Sequence, residues 1–221
     1  MNETDYYSDE FWEKFARFYN IATKFYLLPF GGESSFRNRI VNFGQPKEGE
    51  QILDVCCGTG TLTMLVAKKL GQKARVTGID TSQEMIRIAT KKAVKKKLSI
   101  KFELASGKSL PFFDKYFDRS YISLCLHELP KDSRIKVLQE IHRVLKFNGY
   151  LVVIDFNLSK KLVPRLMIKT FVKLIEKEVA YYFLLDEPLG AEIAELGFKL
   201  IDKKLILLDM FQLLLFQKSK E

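Results

Sequence analysis

Short apolar runs alternate along the middle of this chain with longer stretches in which apolar residues recur at helical spacing. Runs rich in β-branched and aromatic side chains are typical of buried strands, whereas the longer spacing predicts amphipathic helices. The predicted strands cover residues 52–57, 74–80, 100–104, 119–125 and 150–156. Strands that alternate with helices in this way predict a parallel sheet covered by helices on both faces.

Apolar spacing and end signals predict the helices between these strands. The first helix runs from Thr61 to Leu70, with two lysines in its last turn. The second covers residues 83–97. The third contains the apolar positions of residues 135–145, and Asn148-Gly149 is predicted to end it.

Two further segments flank this alternating core. Aromatic residues recur at helical spacing before Pro29, and another helix is predicted to begin near Ser34. This N-terminal segment either packs on the domain as an ordinary helix or forms a lid that excludes water from a site. After the core, the segment 162–182 is basic, apolar and predicted as a helix or helix pair. A short helix over 191–196 and a hairpin of strands 197–208 and 210–217 are predicted to follow it.

The first apolar run ends abruptly at Gly58-Thr59-Gly60, and a helix begins directly afterwards. Glycines lack Cβ atoms, so a ligand can approach the backbone, and the first N–H groups of the helix face it. The dinucleotide fingerprint requires a third glycine where this chain has Thr63, which disfavours a pyrophosphate-bearing ligand. A turn that serves packing alone is the alternative.

Two carboxylates lie at the ends of the first two strands. Asp54 lies inside an apolar run, where burial is costly without a partner that a cationic or amine-bearing ligand would supply. Asp80 follows Gly58 by about 20 residues, the separation expected for a carboxylate that accepts hydrogen bonds from ribose hydroxyls. The alternative is that Asp80, Thr81 or Ser82 caps the helix that follows.

Composition narrows the class of protein. A chain of 221 residues, 47% of them hydrophobic, fits one domain with a sizeable core. The sequence shows no targeting segment and no apolar run of bilayer length. Its three cysteines show neither a disulfide framework nor metal-ligand spacing, which predicts a reduced, cytoplasmic protein without a bound metal.

The net charge of +9 raises the question of a nucleic-acid partner. Much of the excess lies in the lysines at 91, 92 and 95–97, at the end of a predicted helix, where cations suit the helix dipole and the solvent. A solvated helix face is therefore favoured over nucleic-acid binding. Attraction to an anionic membrane or an acidic partner stays open.

Five segments, taken in order, resemble the class I S-adenosylmethionine-dependent methyltransferases, in particular the ubiquinone and menaquinone biosynthesis C-methyltransferases. They are LDVCCGTGTLT (53–63), VTGIDTSQEMI (76–86), LPFFDKYFD (110–118), SLCLHELP (123–130) and RVLKFNGYLVVIDF (143–156). The resemblance implies an α/β, Rossmann-like sheet of seven mostly parallel strands with an antiparallel C-terminal hairpin. We expect one domain, with a helical lid over 1–45, a cofactor-binding core over 46–156 and a substrate-covering segment with the hairpin over 157–221.

The resemblance also implies how the chain holds S-adenosyl-L-methionine. The residues implied around its methionine part are Asp54, Gly58, Thr59, Gly60 and Ser123. Asp80, with Thr81 beside it, would accept hydrogen bonds from the ribose, and Ser106 and Gly107 would lie at the adenine. Ser106 departs from the family, which commonly has Asp or Asn at this position.

A methyltransferase of this type implies a small, hydrophobic methyl acceptor, such as a quinone precursor or a lipid head group. A carbon or hydroxyl acceptor needs a base, whereas an amine only has to be neutral. His127 is the candidate catalytic base, with Glu128 beside it, whereas His142 is predicted to be structural. The basic, apolar segment 162–185 either packs over the site or lies on a membrane surface.

Two alternatives remain open. A cofactor-binding protein without turnover is conceivable, because Ser106 departs from the family and no residue is an obvious base. A protein or nucleic-acid methyltransferase is disfavoured: Leu126-His127-Glu128-Leu129 stands where many amino-group enzymes have Asn/Asp-Pro-Pro-aromatic.

Overall fold

The structure is a computed structural model that describes residues 31–219, except for residue 74, residues 176–177 and residues 186–188. The aromatic part of the predicted N-terminal lid, residues 1–30, lies outside the described residues. The helix predicted near Ser34 is present, from Gly32 to Gly44.

Helices and strands alternate through the described residues. The helices are α1 (Gly32–Gly44), α2 (Thr61–Leu70), α3 (Gln83–Lys95), α4 (Lys131–Val144), α5 (Leu162–Ile175), α6 (Glu178–Leu185) and α7 (Leu189–Glu195). The strands are β1 (Gln51–Val55), β2 (Arg75–Asp80), β3 (Lys101–Leu104), β4 (Phe117–Ser123), β5 (Leu145–Phe156), β6 (Phe198–Ile206) and β7 (Phe211–Lys218). Single 3-10 turns cover Gly71–Lys73 and Leu126–Glu128.

All seven strands form one sheet in the order β3-β2-β1-β4-β5-β7-β6. The strands β1 to β5 pair in parallel, whereas β7 pairs antiparallel with both β5 and β6. The predicted fold class, a mostly parallel sheet with an antiparallel C-terminal hairpin, is confirmed. The segment predicted as a helix or helix pair forms the two helices α5 and α6.

Helices cover both faces of the sheet. Side chains alternate along each strand, so neighbouring residues of one strand pack against helices on opposite faces. On one face, Ile52 of β1 and Val152 of β5 pack in a cluster with residues of α1, α2, α5 and α6. On the other face, the neighbouring Leu53 and Val153 pack with residues of α4 and α7. The central strands are therefore apolar on both sides, which explains their continuous apolar runs.

One predicted boundary is wrong. The third predicted helix was expected to end at Asn148-Gly149, but α4 ends at Val144 and β5 begins at the next residue. The Asn-Gly pair lies inside β5, in an irregularity of its pairing with β4, and Asn148 has φ of 58°. A Cβ at Gly149 would lie 2.8 Å from the carbonyl oxygen of Lys146, so the bulged backbone requires glycine there.

This topology determines where a site can form. From β1 the chain winds through β2 and β3 to one side of the sheet, and β4 and β5 lie on the other side. Ligands of open α/β sheets bind at the carboxyl ends of the strands where the winding direction changes. In this sheet that position is between the end of β1 and the end of β4.

Candidate functional site

The turn after β1 leaves its backbone open to a ligand. Gly58 and Gly60 have φ of 53° and 70°, a conformation that residues with a Cβ rarely adopt. A Cβ at Gly58 would meet no atom of the described residues within 4 Å, so within that part of the chain the space beside Gly58 is open. Gly60 is the N-cap of α2 and has no side chain that could accept a hydrogen bond from the first N–H groups of the helix. A cap side chain therefore does not compete with a ligand for these N–H groups.

Asp80 links the end of β2 to this turn. Its carboxylate accepts hydrogen bonds from the Gly58 N–H at 2.8 Å and from the Ser82 N–H at 3.0 Å. Ser82, rather than Asp80 or Thr81, caps α3 through its hydroxyl, while Thr81 is exposed. Burial raises the pKa of the Asp80 carboxyl, and its backbone hydrogen bonds oppose that shift. A carboxylate can accept about four hydrogen bonds, so Asp80 retains capacity for a ligand's hydroxyls.

Asp54 has a partner within the chain. It is buried, and the Thr63 hydroxyl donates to its carboxylate at 2.6 Å. Burial raises the pKa of the Asp54 carboxyl from 3.8 to about 7, while Thr63 and the Arg37 guanidinium act in the opposite direction. The sequence analysis expected that a cationic or amine-bearing ligand would supply a partner for Asp54, and the structure shows that Thr63 supplies one within the chain.

Arg37 and Lys92 reach the site from helices, and the sequence analysis missed both. The Arg37 guanidinium is buried and donates to the Ser123 hydroxyl at 3.1 Å, at the end of β4. Its Nε lies 3.7 Å from a Glu33 carboxylate oxygen and has no hydrogen-bond partner among the described residues. The Lys92 ammonium donates to the carbonyl of Thr59 at 2.9 Å and to two threonine hydroxyls, and so holds the glycine turn.

The loop after β3 contains the two residues assigned to the adenine. Ser106 is half-buried, and its hydroxyl accepts a hydrogen bond from the Lys108 N–H at 3.2 Å. Gly107 is buried, and a Cβ there would lie 3.2 Å from a methyl group of Val55, at the end of β1. The loop therefore packs against the strand that leads into the glycine turn.

A pair of cysteines corrects the expectation that the chain has no disulfide. Cys56 follows β1, Cys125 follows β4, and the structure joins them with Cα atoms 6.4 Å apart. They are 69 residues apart in the sequence, so only the pairing of β1 with β4 brings them together. Cys57 is the remaining thiol, and burial raises its pKa.

His127 lies in the 3-10 turn after β4 and is buried. Its ring Nδ1 is 2.6 Å from a carboxylate oxygen of Asp155 in β5, a residue that the sequence analysis did not single out. Its ring packs against Phe156, with centroids 4.4 Å apart. His142 packs edge-on against Phe198 of β6, with ring centroids 5.0 Å apart.

Part of this chain is similar to known proteins. Residues 52–149 match the family model described as a methyltransferase domain. A demethylmenaquinone methyltransferase of Lactobacillus johnsonii is 32% identical over 150 residues, which cover 67% of this chain and 61% of that protein. A chloroplastic 2-phytyl-1,4-beta-naphthoquinone methyltransferase of Arabidopsis thaliana is 32% identical over 64% of this chain and 55% of its own length. The chain thus spans about three fifths of the length of these relatives.

Solved structures share the fold. An S-adenosylmethionine-dependent methyltransferase of Aquifex aeolicus aligns with a TM-score of 0.64 at 22% identity, over 83% of this chain and 89% of that one. The cyclase SpnF aligns with a TM-score of 0.63 at 19% identity, over 84% of this chain and 80% of its own. A cyclase among such neighbours illustrates that this fold does not by itself determine the reaction.

The raised pKa of Asp54 gives a prediction for pH and stability. From about pH 4 to pH 7 the unfolded chain has lost this proton while the folded protein keeps it, so stability falls as the pH rises. The side chain that Asp54→Asn introduces cannot ionise, so the free energy of unfolding of this variant does not fall in this way. Relative to the wild type, the free energy of unfolding of Asp54→Asn should rise by up to about 4 kcal/mol across that range, at about 1.4 kcal/mol per unit of pKa shift. Urea unfolding at several pH values measures the difference. Asp202→Asn, at an exposed position of β6, is the control, and equal pH slopes for wild type and Asp54→Asn would contradict the prediction.

Proposed function

We propose that the protein transfers a methyl group from S-adenosylmethionine to a small hydrophobic acceptor such as a quinone precursor, and the match of residues 52–149 to a methyltransferase domain supports this. The observation that carries this proposal is the open glycine turn with Asp80 beside it, at the edge of the sheet where β1 and β4 end. Curated relatives named as quinone methyltransferases support the class of acceptor.

The residues present suit this cofactor. The open space beside Gly58 admits the methionine part close to the backbone of Thr59 and Gly60. Arg37, a buried cation with an unsatisfied Nε, suits the cofactor's carboxylate, and Ser123 lies next to it. Asp80 has capacity left for ribose hydroxyls, with Thr81 beside it. Ser106 and Gly107, in the loop after β3, are assigned to the adenine.

When bound, the cofactor supplies an electrophilic methyl group on a positively charged sulfur. The protein's part is to bind, orient and keep water away. Asp54 contributes a buried carboxyl that can balance a cationic ligand by losing its proton. His127 is assigned as the base that takes a proton from the acceptor.

Methyl transfer itself is the first test. Purified protein with S-adenosylmethionine should methylate a demethylated naphthoquinol, and mass spectrometry of the acceptor should show the added methyl group. A phospholipid and a primary amine, offered in parallel, should stay unmodified. Calorimetric binding of the cofactor without methylation of any acceptor would instead support a cofactor-binding protein without turnover.

Asp80→Ala should weaken cofactor binding by about 1–3 kcal/mol, because it removes the hydrogen bonds to the ribose. Isothermal titration calorimetry measures the dissociation constant, and the unfolding midpoint shows whether the variant is folded. Asp202→Ala, at an exposed position, should bind like the wild type. A folded Asp80→Ala variant with unchanged affinity would leave Asp80 with its backbone role at Gly58 and Ser82 alone.

The helix α5 supports peripheral contact with a membrane. Four apolar side chains on it are exposed, namely Leu162, Val163, Leu166 and Met167. Lysines and arginines at 160, 161, 165, 169 and 173 accompany them, and residues 157–175 contain no acidic side chain. A helix of this kind suits the surface of an anionic bilayer, where apolar quinone precursors dissolve. No helix within the described residues combines the length and apolar character needed to cross a bilayer.

We therefore propose an enzyme that collects its acceptor at a membrane surface. Vesicles of phosphatidylglycerol should sediment with the protein at low salt, and vesicles of phosphatidylcholine should retain less of it. Serine at Leu162, Val163 and Leu166 together should reduce sedimentation by about tenfold or more, since roughly 1.5–3 kcal/mol accompanies burial of each such side chain. Serine at the exposed Val94 and Leu104 is the matched control. Equal sedimentation of the α5 variant and the control would contradict the membrane contact.

A further inference from the structure

We propose that Asp155 is a positioning residue that holds His127 as a general base. Through this pair the site selects a methyl acceptor that has to lose a proton, such as a hydroxyl or an activated ring carbon, over an amine. The inference rests on the proposed methyl transfer and deepens it. It names a residue, Asp155, to which neither the family match nor the relatives' names assign a role.

Three donors converge on the Asp155 carboxylate. The nearest is Nδ1 of His127 at 2.6 Å, and the backbone N–H groups of Phe156 at 2.8 Å and His127 at 3.3 Å complete the set. Asp155 is fully buried at the end of β5. A carboxylate has two acceptor oxygens with about four acceptor sites, so all three donors find an acceptor on Asp155.

The carboxylate determines the tautomer of the imidazole. Facing an acceptor at 2.6 Å, Nδ1 carries the hydrogen of the neutral ring, and Nε2 therefore carries the lone pair. In many enzymes a buried carboxylate binds one ring nitrogen of a catalytic histidine and so orients the other nitrogen to accept a proton. Two contacts fix the direction of the His127 ring. They are the short bond to Asp155 and the packing of Phe156 against the ring, with centroids 4.4 Å apart.

The surroundings of Nε2 suit transient protonation. A carboxylate oxygen of Glu128 lies 3.8 Å from Nε2, and the Glu128 side chain is 30% exposed. Carboxylates on both sides of the ring stabilise the positive charge that it gains with a proton. Because Glu128 reaches the solvent, it also provides a route by which the proton leaves.

The pair lies at the edge of the sheet that carries the proposed cofactor site. His127 follows the end of β4, where Ser123 contacts Arg37, and Asp155 is in the neighbouring strand β5. A neutral amine acceptor needs no base before it attacks a methyl group, whereas a hydroxyl or a hydroquinone ring carbon does. A buried histidine and carboxylate at this position therefore suit the second group of acceptors.

With a hydroquinone as the acceptor, proton transfer to His127 precedes the transfer of the methyl group. The hydroxyl proton moves to Nε2 of His127, which leaves the ring carbon electron-rich. That carbon bonds to the methyl carbon as the methyl–sulfur bond breaks, and the electron pair of the broken bond stays on sulfur. The ring carbon then loses its own hydrogen as a proton and the ring oxygen takes a proton back, so that one proton in total passes from His127 through Glu128 to the solvent.

Two variants test the pair in the full chain. Asp155→Asn keeps the size of the side chain but allows its amide to donate to Nδ1, which moves the ring hydrogen to Nε2. His127→Asn keeps a donor for Asp155 but removes the base. Each should lower kcat for a naphthoquinol by about 10²–10⁴-fold, with KM and the cofactor's dissociation constant within about threefold of the wild type.

A series of hydroquinones of decreasing hydroxyl pKa separates this role from a structural one. If the pair acts as a base, the deficit of Asp155→Asn should shrink as the acceptor becomes more acidic, because an ionised acceptor needs no base. A deficit that is equal for all acceptors would overturn the proposal, and so would wild-type kcat in either folded variant. If Asp155→Asn does not fold, His127→Asn carries the same test alone.

The two proposals fail in distinguishable ways. If the wild type methylates no hydroquinone, the proposed function fails before any variant is compared. If the wild type methylates a hydroquinone and both variants do so at the same rate, the proposed function stands and the role of Asp155 is refuted. Methylation of a primary amine at a kcat that exceeds the one for hydroquinones would also refute the selection of acceptor.

Discussion

Parallel pairing of β1 with both β2 and β4 is the constraint on which the rest of this structure depends. It brings the carboxyl ends of strands that are far apart in the sequence to one edge of the sheet. Asp80, the glycine turn, Ser123 and the turn with His127 are all positioned by that edge. A slip of one residue in either pairing would turn the side chains of β1 to the opposite face and exchange the two apolar clusters.

Three carboxylates at this edge, of which Asp54 and Asp155 are buried and Asp80 is half-buried, differ in the donors that they receive. Asp155 accepts from the His127 ring and from two backbone N–H groups, Asp80 accepts from backbone N–H groups that include those of Gly58 and Ser82, and Asp54 accepts from Thr63 alone among the described residues. Burial raises the pKa of Asp54 to about 7, because the hydrogen bonds from Thr63 and the charge of Arg37 do not offset the loss of water. The Asp54 carboxyl can therefore lose its proton when a positive charge arrives. The Asp155 carboxylate, which accepts hydrogen bonds from three donors, instead holds its neighbours in place.

The sequence allowed the strands, the order of elements and the glycine turn to be predicted, because these depend on local periodicity and on residues such as Gly58 and Gly60. Contacts between distant segments were not predictable in the same way. Arg37, Lys92 and Asp155 lie in ordinary amphipathic or apolar patterns, and their roles appear only where the fold brings them to Ser123, Thr59 and His127. The pair of Cys56 with Cys125 was missed for the same reason. Asn148-Gly149 misled the prediction, since the pair that commonly ends a helix here serves a bulge in β5.

Thr63 shows how one side chain separates this turn from a dinucleotide site. A glycine at this position lets helix and strand pack closely in the dinucleotide fold, whereas Thr63 is fully buried and uses its hydroxyl to bind Asp54. Replacing the glycine thus adds volume between α2 and β1 and at the same time gives a buried acid a partner. The acid then faces Arg37, so the end of β1 combines a carboxyl and a guanidinium within one buried network. Such a pair suits a ligand that carries both an ammonium and a carboxylate, as an amino acid does, better than it suits a pyrophosphate, whose charges are all negative.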